Sequence, residues 1–375
     1  IEQDAVDTTA PGSTRMASTH GYYMQPTIQG DTIVFVCETA LWTVSAEGGV
    51  ARRLTTAPGA ASAPVLSPDG KTLAYSARDE GPQDVYVMPS EGGPSERITH
   101  FGAMGTQPVA WTADGKKVVA RSNAARPFLG QMFLYEVAPG GHPTQVNVGP
   151  ARGIAREPGG KGVALGINSG DPARWKRYRG GTAGRIVIDR TGKGDFKPLV
   201  EVEGNLAAPM WIGKRIYFLS DHEGHGNLYS CTPTGRGLKR HTDHEDYYAR
   251  FPMTDGKRIV YHAGADLYVF DPRSDSTRKV EIELHSARQG RQRRFTSASR
   301  FLEDADLHPQ AHSLAVTARG GAYTLALWEG APLRHGAVSS ERRRLTRWLS
   351  DGKRIVSVTD AKGDEGLVVE KADGS

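Results

Sequence analysis

The chain is built on one repeated pattern, in which a tight turn precedes a run of β-branched and aromatic residues and a polar loop leads to a second such run. Successive first runs start 40, 45, 45, 53, 43, 55 and 41 residues apart. A period of about 40 to 45 residues with four strands in each unit is typical of a β-propeller. The pattern therefore predicts an all-β chain of four-stranded antiparallel blades. The eight first runs occupy residues 31–37, 71–77, 116–122, 161–167, 214–220, 257–263, 312–318 and 353–359.

Glycine-containing dipeptides mark the turns of this repeat. Asp-Gly or Gly-Gly stands just before five of the first runs, where glycine supplies the positive φ of a tight hairpin turn. The chain also contains 45 Gly and 22 Pro, more than a helical protein tolerates. We therefore expect many short strands joined by hairpins. The five dipeptides lie at 69–70, 114–115, 159–160, 255–256 and 351–352.

A break after the sixth repeat divides the chain. The spacing there rises to 55 residues, and residues 281–300 are polar and basic. We predict a closed six-bladed propeller at 21–284, a basic linker at 285–300, and the first, incomplete blades of a second propeller at 301–375. Residues 367–375 match a third strand and its turn, so the last blade lacks its outermost strand. The polar residues 1–20, which begin with Ile and contain Met16, are interpreted as a disordered leader or an expression remnant.

Composition narrows the class of partner. Lys and Arg together outnumber Asp and Glu by five, 47 against 42. This small excess of positive charge is spread along the chain, and it does not indicate a nucleic-acid-binding surface. No apolar stretch approaches the ~20 residues of a membrane-spanning helix. Cys37 and Cys231 lie in or beside apolar runs, where small buried side chains are expected rather than a disulfide. We therefore expect a protein of the reducing cytoplasm, with no nucleic-acid and no membrane partner.

Several specific strings resemble the tricorn proteases. Residues 174–182 (RWKRYRGGT), 216–230 (IYFLSDHEGHGNLYS) and 241–261 (HTDHEDYYARFPMTDGKRIVY) are similar to the fourth, fifth and sixth blades of that family's six-bladed propeller. Residues 301–309 (FLEDADLHP) resemble the entrance to its second, seven-bladed propeller. The likeness begins near Gly21 and continues to the end of the chain.

This resemblance implies a large cytoplasmic serine peptidase that degrades oligopeptides downstream of the proteasome, assembled as a homo-hexamer. The propellers of such an enzyme guide peptides to or from the active site, and the catalytic residues lie in C-terminal domains of the same polypeptide. The resemblance thus places no catalytic residue in this chain, which we expect to hydrolyse no peptide alone. An archaeal member holds the peptide carboxylate with adjacent arginines, and the matching residues 101–111 contain no Arg.

Two segments are candidate peptide-binding sites. The fourth repeat is about ten residues longer than its neighbours, and its insertion is rich in cations and aromatics that suit carboxylates and peptide side chains. An aromatic pair in the sixth blade is a similar candidate. The alternative is that these aromatics fill gaps between blades while the cations are solvated. The candidate residues are Trp175, Arg177, Tyr178, Arg179, Tyr247, Tyr248 and Arg250.

Other motifs do not support an enzyme site. Residues 166–170 (GINSG) have the wrong spacing for a nucleophile elbow, and residues 159–162 (GGKG) lack the Lys-Ser/Thr of a phosphate loop. The histidine pairs 222/225 and 241/244 supply too few ligands for a closed metal shell. We predict no metal and no cofactor. Two rival functions remain open: a stand-alone binding scaffold of the Tol-system type, and the propeller cap of a prolyl-oligopeptidase-like enzyme.

Overall fold

A computed structural model describes residues 20–57, 59–288, 297–336 and 341–374. Residues 1–19 of the predicted leader and 289–296 of the predicted basic linker lie outside the described residues. The chain divides into two compact units, Ile1–Gly290 and Arg291–Ser375. The regular structure in the described residues is almost entirely β, as the repeat predicted.

The first unit contains six antiparallel sheets of four consecutive strands each, which confirms the predicted blade. The first three blades are β1 (Met24–Gln29), β2 (Thr32–Cys37), β3 (Ala40–Ser45) and β4 (Gly49–Arg53); β5 (Ser62–Leu66), β6 (Thr72–Ala77), β7 (Asp84–Pro89) and β8 (Glu96–Arg97); and β9 (Thr106–Trp111), β10 (Val118–Ser122), β11 (Phe133–Val137) and β12 (Thr144–Gln145). The other three are β13 (Gly153–Arg156), β14 (Val163–Ile167), β15 (Arg185–Asp189) and β16 (Lys197–Pro198); β17 (Leu206–Ile212), β18 (Arg215–Ser220), β19 (Asn227–Cys231) and β20 (Lys239–Arg240); and β21 (Arg250–Thr254), β22 (Ile259–Ala263), β23 (Asp266–Asp271) and β24 (Ser276–Lys279).

The runs that define the repeat are the second strands of the blades, and the glycine dipeptides form the turns that precede them. Gly70 and Gly115 have φ of 73° and 68°, a conformation that residues with a Cβ rarely adopt. In the first of these turns the Asp69 carboxylate accepts the Lys71 N–H at 3.0 Å and the Ser67 hydroxyl at 2.6 Å. Local sequence therefore fixes the hairpins, and burial of their apolar faces must fix how the blades assemble.

The blades close into a ring through six clusters of buried apolar side chains, each shared by two neighbouring blades. The closing cluster joins Val260 and Leu267 of the sixth blade to Ile33 and Phe35 of the first. A further strand, β25 (Ile282–Leu284), then pairs in parallel with the outer strand β4 of the first blade. The ring thus closes by packing between complete blades. The pairing of β25 with β4 also joins the C-terminal end of the first unit to its first blade.

The described residues of the second unit form two sheets. The first has four strands, β26 (Leu302–Leu307), β27 (Ser313–Ala318), β28 (Gly321–Ala326) and β29 (Leu333–His335); the other has three, β30 (Arg343–Trp348), β31 (Arg354–Thr359) and β32 (Gly366–Lys371). The two sheets contact each other through the Thr317 hydroxyl, which donates to Thr346 Oγ1 at 2.8 Å. The predicted third strand at the chain end is β32.

Candidate functional site

A central cavity of about 460 Å³, here called the channel, lies within the six-bladed propeller. It is lined by the innermost strands β1, β5, β9, β13, β17 and β21, one from each blade. Large apolar side chains, among them Trp111, Trp211 and Phe251, form much of its wall. Concave, mainly apolar sites with a few convergent polar groups are the usual form of a ligand site. The channel is therefore the leading candidate site.

Proline and backbone bulges recur along the channel wall. Pro26, Pro64, Pro209 and Pro252 each follow a residue with φ between 47° and 53°, and each lies at a bulge between the innermost strand and its neighbour. In the third blade, Pro108 lies at a register shift without the positive φ. Proline removes a backbone donor and is confined to sheet edges and bulges, which is where these residues lie.

Two arginines give one part of the channel a positive charge. The Arg121 guanidinium donates to the Arg152 carbonyl oxygen at 3.2 Å and to Gln107 Oε1 at 2.5 Å. Burial, reinforced by the charge of Arg152, lowers the pKa of Arg121 to about 10. Burial also lowers the pKa of Arg152, with a smaller contribution from Arg174. Within the described residues no carboxylate accepts a hydrogen bond from Arg121 or Arg152.

The long insertion of the fourth blade, residues 168–184, is here called the blade-4 loop. It contains a 3-10 turn, Pro172–Trp175, at whose start the Asp171 carboxylate accepts the Ala173 N–H at 3.1 Å. The buried carboxylate of Asp221, in the fifth blade, accepts the Arg177 N–H at 2.7 Å. Asn205 donates to the Trp175 carbonyl at 3.0 Å. The loop is therefore held against the neighbouring blade by main-chain contacts.

These contacts leave Trp175, Arg177 and Arg179 exposed to solvent, whereas Tyr178 is half-buried. Trp175 is 62% exposed, with its ring centroid 5.2 Å from that of Tyr178. Arg179 forms an exposed ion pair with Glu203 at 3.0 Å, and Arg177 is exposed with φ of 57°. Trp175 thus does not fill a gap between blades, which was the packing alternative for this residue.

The predicted residues of the sixth blade divide into exposed and buried groups. Tyr247 is 63% exposed, whereas Tyr248 is 5% exposed and its hydroxyl donates to the Gly224 carbonyl at 3.0 Å. The Arg250 guanidinium donates to Asp171 Oδ2 at 2.5 and 3.0 Å. The packing alternative therefore describes Tyr248, and the Asp171–Arg250 pair connects the blade-4 loop to the sixth blade.

Comparison with known proteins agrees with this architecture. The family model described as the tricorn protease N-terminal beta propeller domain matches residues 20–276. The chain belongs to the tricorn protease family. Tricorn protease homolog 1 of Streptomyces coelicolor is 37% identical over 359 residues, which are 94% of this chain and 33% of that protein. A crystal structure of the tricorn protease superposes with a TM-score of 0.76 at 28% identity, covering 95% of this chain and 35% of that one.

The chain spans about a third of the length of these tricorn relatives. A shorter protein, the putative tricorn-like protease N-terminal subunit of Sulfurisphaera tokodaii, is 30% identical over 173 residues, and 86% of its length is covered. A tricorn-type N-terminal region thus also occurs under the name of a separate subunit.

A serine–histidine–aspartate arrangement of the catalytic kind, which sequence analysis missed, occurs in this tricorn propeller. Ser230 Oγ lies 2.7 Å from His241 Nε2, and His241 Nδ1 lies 2.5 Å from Asp275 Oδ1. Such contacts activate nucleophiles in hydrolases. Here Ser230 is fully buried, and its hydroxyl accepts a hydrogen bond from Arg215 Nε at 2.9 Å. A substrate carbonyl therefore cannot reach the Ser230 hydroxyl. The network instead has a structural role, because it connects Ser230 of the fifth blade to Asp275 of the sixth.

The second unit repeats the arrangement, which supports a structural role. Thr324 Oγ1 lies 2.8 Å from His335 Nε2, and His335 Nδ1 lies 3.5 Å from Glu370 Oε1. The hydroxyl and the imidazole are eleven residues apart in both cases. The hydroxyl lies on the third strand of a blade, and the imidazole lies at the end of the fourth strand (His335) or directly after it (His241). Burial lowers the pKa of both His241 and His335, which favours the neutral imidazole in each network.

The histidine pairs considered as metal ligands lie in other contacts. His222 Nδ1 is 2.9 Å from Ser220 Oγ, and His244 Nε2 is 2.9 Å from the Tyr261 hydroxyl. Within residues 20–57, 59–288, 297–336 and 341–374, no group of three metal-ligating side chains is brought together. Over the same part of the chain, no helix is long and apolar enough to cross a membrane. Cys37 and Cys231 are buried free thiols, as expected.

Proposed function

We propose that this chain is the peptide-conducting N-terminal module of a tricorn-type serine protease. Peptides pass through the central channel of the six-bladed propeller on their way to or from an active site in C-terminal domains of the same polypeptide. The observation that carries this proposal is the largely apolar channel, whose wall contains two arginines that, among the described residues, donate no hydrogen bond to a carboxylate. The full enzyme is proposed to be a cytoplasmic homo-hexamer that degrades oligopeptides released by the proteasome, with the first unit, the linker and the second unit as separate domains.

The charge of the channel suits peptides as ligands. Every peptide ends in a carboxylate, and a guanidinium binds a carboxylate through two parallel hydrogen bonds. The positive charges of Arg121 and Arg152 repel each other, and a peptide carboxylate bound beside them would offset that repulsion. We propose that they attract and transiently hold the peptide C-terminus, in the absence of arginines at residues 101–111.

The blade-4 loop is proposed to receive peptides outside the channel. Trp175, Arg177, Tyr178 and Arg179 are presented on a backbone that Asp221 and Asn205 hold, which keeps the entropic cost of binding low. Tyr247 supplies a second exposed ring. Tyr248 and Arg250 contribute by packing and by the ion pair to Asp171 rather than by direct contact.

Charge removal in the channel tests this function. In a tricorn-type enzyme carrying this propeller, Arg121→Gln and Arg152→Gln are each expected to lower kcat/KM for peptides with a free C-terminal carboxylate about tenfold, because one charge-assisted hydrogen bond is lost. Both variants should hydrolyse the corresponding C-terminally amidated peptides with the same kcat/KM as the wild-type enzyme. Arg52→Gln, at an exposed ion pair with Glu91 on the outer edge, is the matched control. Equal loss for both kinds of peptide would contradict the proposal.

A further inference from the structure

The innermost strand of the fourth blade differs from the other five. Among the six innermost strands, all within the described residues, β13 alone contains no proline. Ile154 lies where Pro26, Pro64, Pro209 and Pro252 stand in their strands, two residues before the partner of the third residue in the second-strand run of the same blade. From Gly153 to Arg156, β13 pairs with β14 in regular register. An irregularity lies just before this stretch, where the Arg152 N–H donates to the Gly166 carbonyl at 2.7 Å.

The pairing of β13 determines which of its backbone groups face the channel. The Glu157 N–H donates to the Gly162 carbonyl at 2.8 Å, so residue 157 points toward β14. Because backbone groups of an antiparallel strand alternate between its two sides, the N–H and C=O groups of Ile154 and Arg156 point away from β14. β13 is the edge of its sheet, and its residues line the channel. Four backbone groups are thus presented to the channel in the spacing of a strand edge.

We infer that β13 is a docking edge on which a peptide in the channel pairs as an additional strand. An exposed edge with regular spacing binds an extended chain through main-chain hydrogen bonds, largely irrespective of its sequence. Proline and bulges at the other five strands suppress that pairing. The ligand is therefore an extended, unfolded peptide segment, held at one side of the channel only. This inference rests on the proposed function, since it specifies how the conducted peptide is bound.

The surroundings of β13 fit a peptide that carries a carboxylate. Arg152 directly precedes β13, and its Nε is buried without a hydrogen-bond partner among the described residues. Arg152 Nη2 donates to the Gly130 carbonyl at 3.0 Å, and the Arg121 guanidinium donates to the backbone carbonyl of Arg152. A strand docked on β13 thus ends close to two guanidinium groups. Pairing along only two outward-facing residues makes the contact short and the binding reversible, as conduction requires.

The test uses the chain of residues 1–375 and a fluorescently labelled hexapeptide, Ser-Val-Thr-Val-Ser-Val, with affinity measured by anisotropy. Ile154→Pro gives β13 the residue that four other strands carry at this place and removes one outward N–H. The variant is expected to bind the peptide about tenfold more weakly. A docked strand loses at least one hydrogen bond, and the fixed φ of proline disturbs the backbone that makes the adjacent one. Ile154→Val keeps the N–H and should bind as the wild type does.

A second set of ligands makes the result independent of any folding defect in the proline variant. Two hexapeptides are N-methylated on alternate amides, one on the odd and one on the even positions. A strand pairs through one edge only, so one of the two should lose binding about tenfold and the other should keep it. Equal binding of both methylated peptides and the parent overturns the docking edge but leaves the channel function intact. Failure of the wild-type chain to bind the parent peptide overturns both.

Discussion

Replacing Asp84 by Ala is expected to lower the free energy of unfolding of the propeller by about 3 to 5 kcal/mol, because it leaves the buried guanidinium of Arg97 without its main carboxylate partner. Asp84 is fully buried at the start of β7, where its carboxylate accepts Arg97 Nη2 at 2.6 Å, the Thr99 hydroxyl at 2.7 Å and the Phe101 N–H at 3.2 Å. Arg97 is itself 14% exposed, and its other acidic contact, Glu80, is 3.5 Å away. Urea denaturation followed by tryptophan fluorescence measures the change.

Asp266→Ala is the matched control. Asp266 begins β23, the third strand of the sixth blade, as Asp84 begins that of the second, and it pairs with Lys279 at 3.1 Å. Both side chains of this pair are about 40% exposed, so its loss should cost no more than about 1 kcal/mol. If Asp84→Ala and Asp266→Ala lower the free energy of unfolding equally, the burial of the Asp84–Arg97 pair is not what makes it stabilising.

Acidification is the second large effect that the structure predicts. His262 of β22 is 1% exposed, its Nδ1 accepts the Gln25 N–H of the first blade at 3.2 Å, and its ring stacks on Phe251. Burial, aided by the charge of Arg250, lowers the pKa of His262 to about 4. The unfolded chain, with a histidine pKa near 6.5, therefore takes up the proton first. The stability that neutral His262 contributes is complete above pH 6.5 and is lost as the pH falls toward 4.

Between pH 7 and pH 5 this one residue should cost about 2 kcal/mol of unfolding free energy, from the linkage of its lowered pKa. His262→Asn, which retains an acceptor without titrating, should reduce the pH dependence by that amount, while the same change at the exposed His142 should not. Some loss will remain, because burial also lowers the pKa of His222, His241 and His244. An unchanged pH dependence in His262→Asn would contradict the prediction.

The sequence predicted the second and third strands of each blade because they alternate or run apolar between glycine turns. It did not reveal the innermost strands, whose prolines and bulges break the strand pattern, as in β5 and β21. A further signal was present: Asp84, Arg97 and Thr99 recur as Asn227, Arg240 and Thr242 with the same spacings. In both sets the hydroxyl donates to the first side chain, at 2.7 and 2.8 Å.

The candidate site was only partly predictable, for a physical reason. The composition of the blade-4 loop marked it as a binding segment, but the contacts that hold it come from Asp221 and Arg250 in two other blades. Arg121 and Arg152 are 31 residues apart and come together only when the third and fourth blades pack. Local patterns report hairpins, whereas a channel at the centre of a ring depends on all six blades.

Photo-cross-linking of a peptide to the whole chain tests the central claim most directly. A hexapeptide with a benzophenone side chain, which reacts preferentially with methionine, is irradiated with the chain, and the labelled methionines are identified by mass spectrometry. The channel-lining Met210 and Met253 should be labelled in preference to Met104, which is 72% exposed outside the channel lining. A tenfold excess of unlabelled peptide should remove that labelling. Labelling of Met104 with none at Met210 or Met253 would show that peptides do not enter the channel.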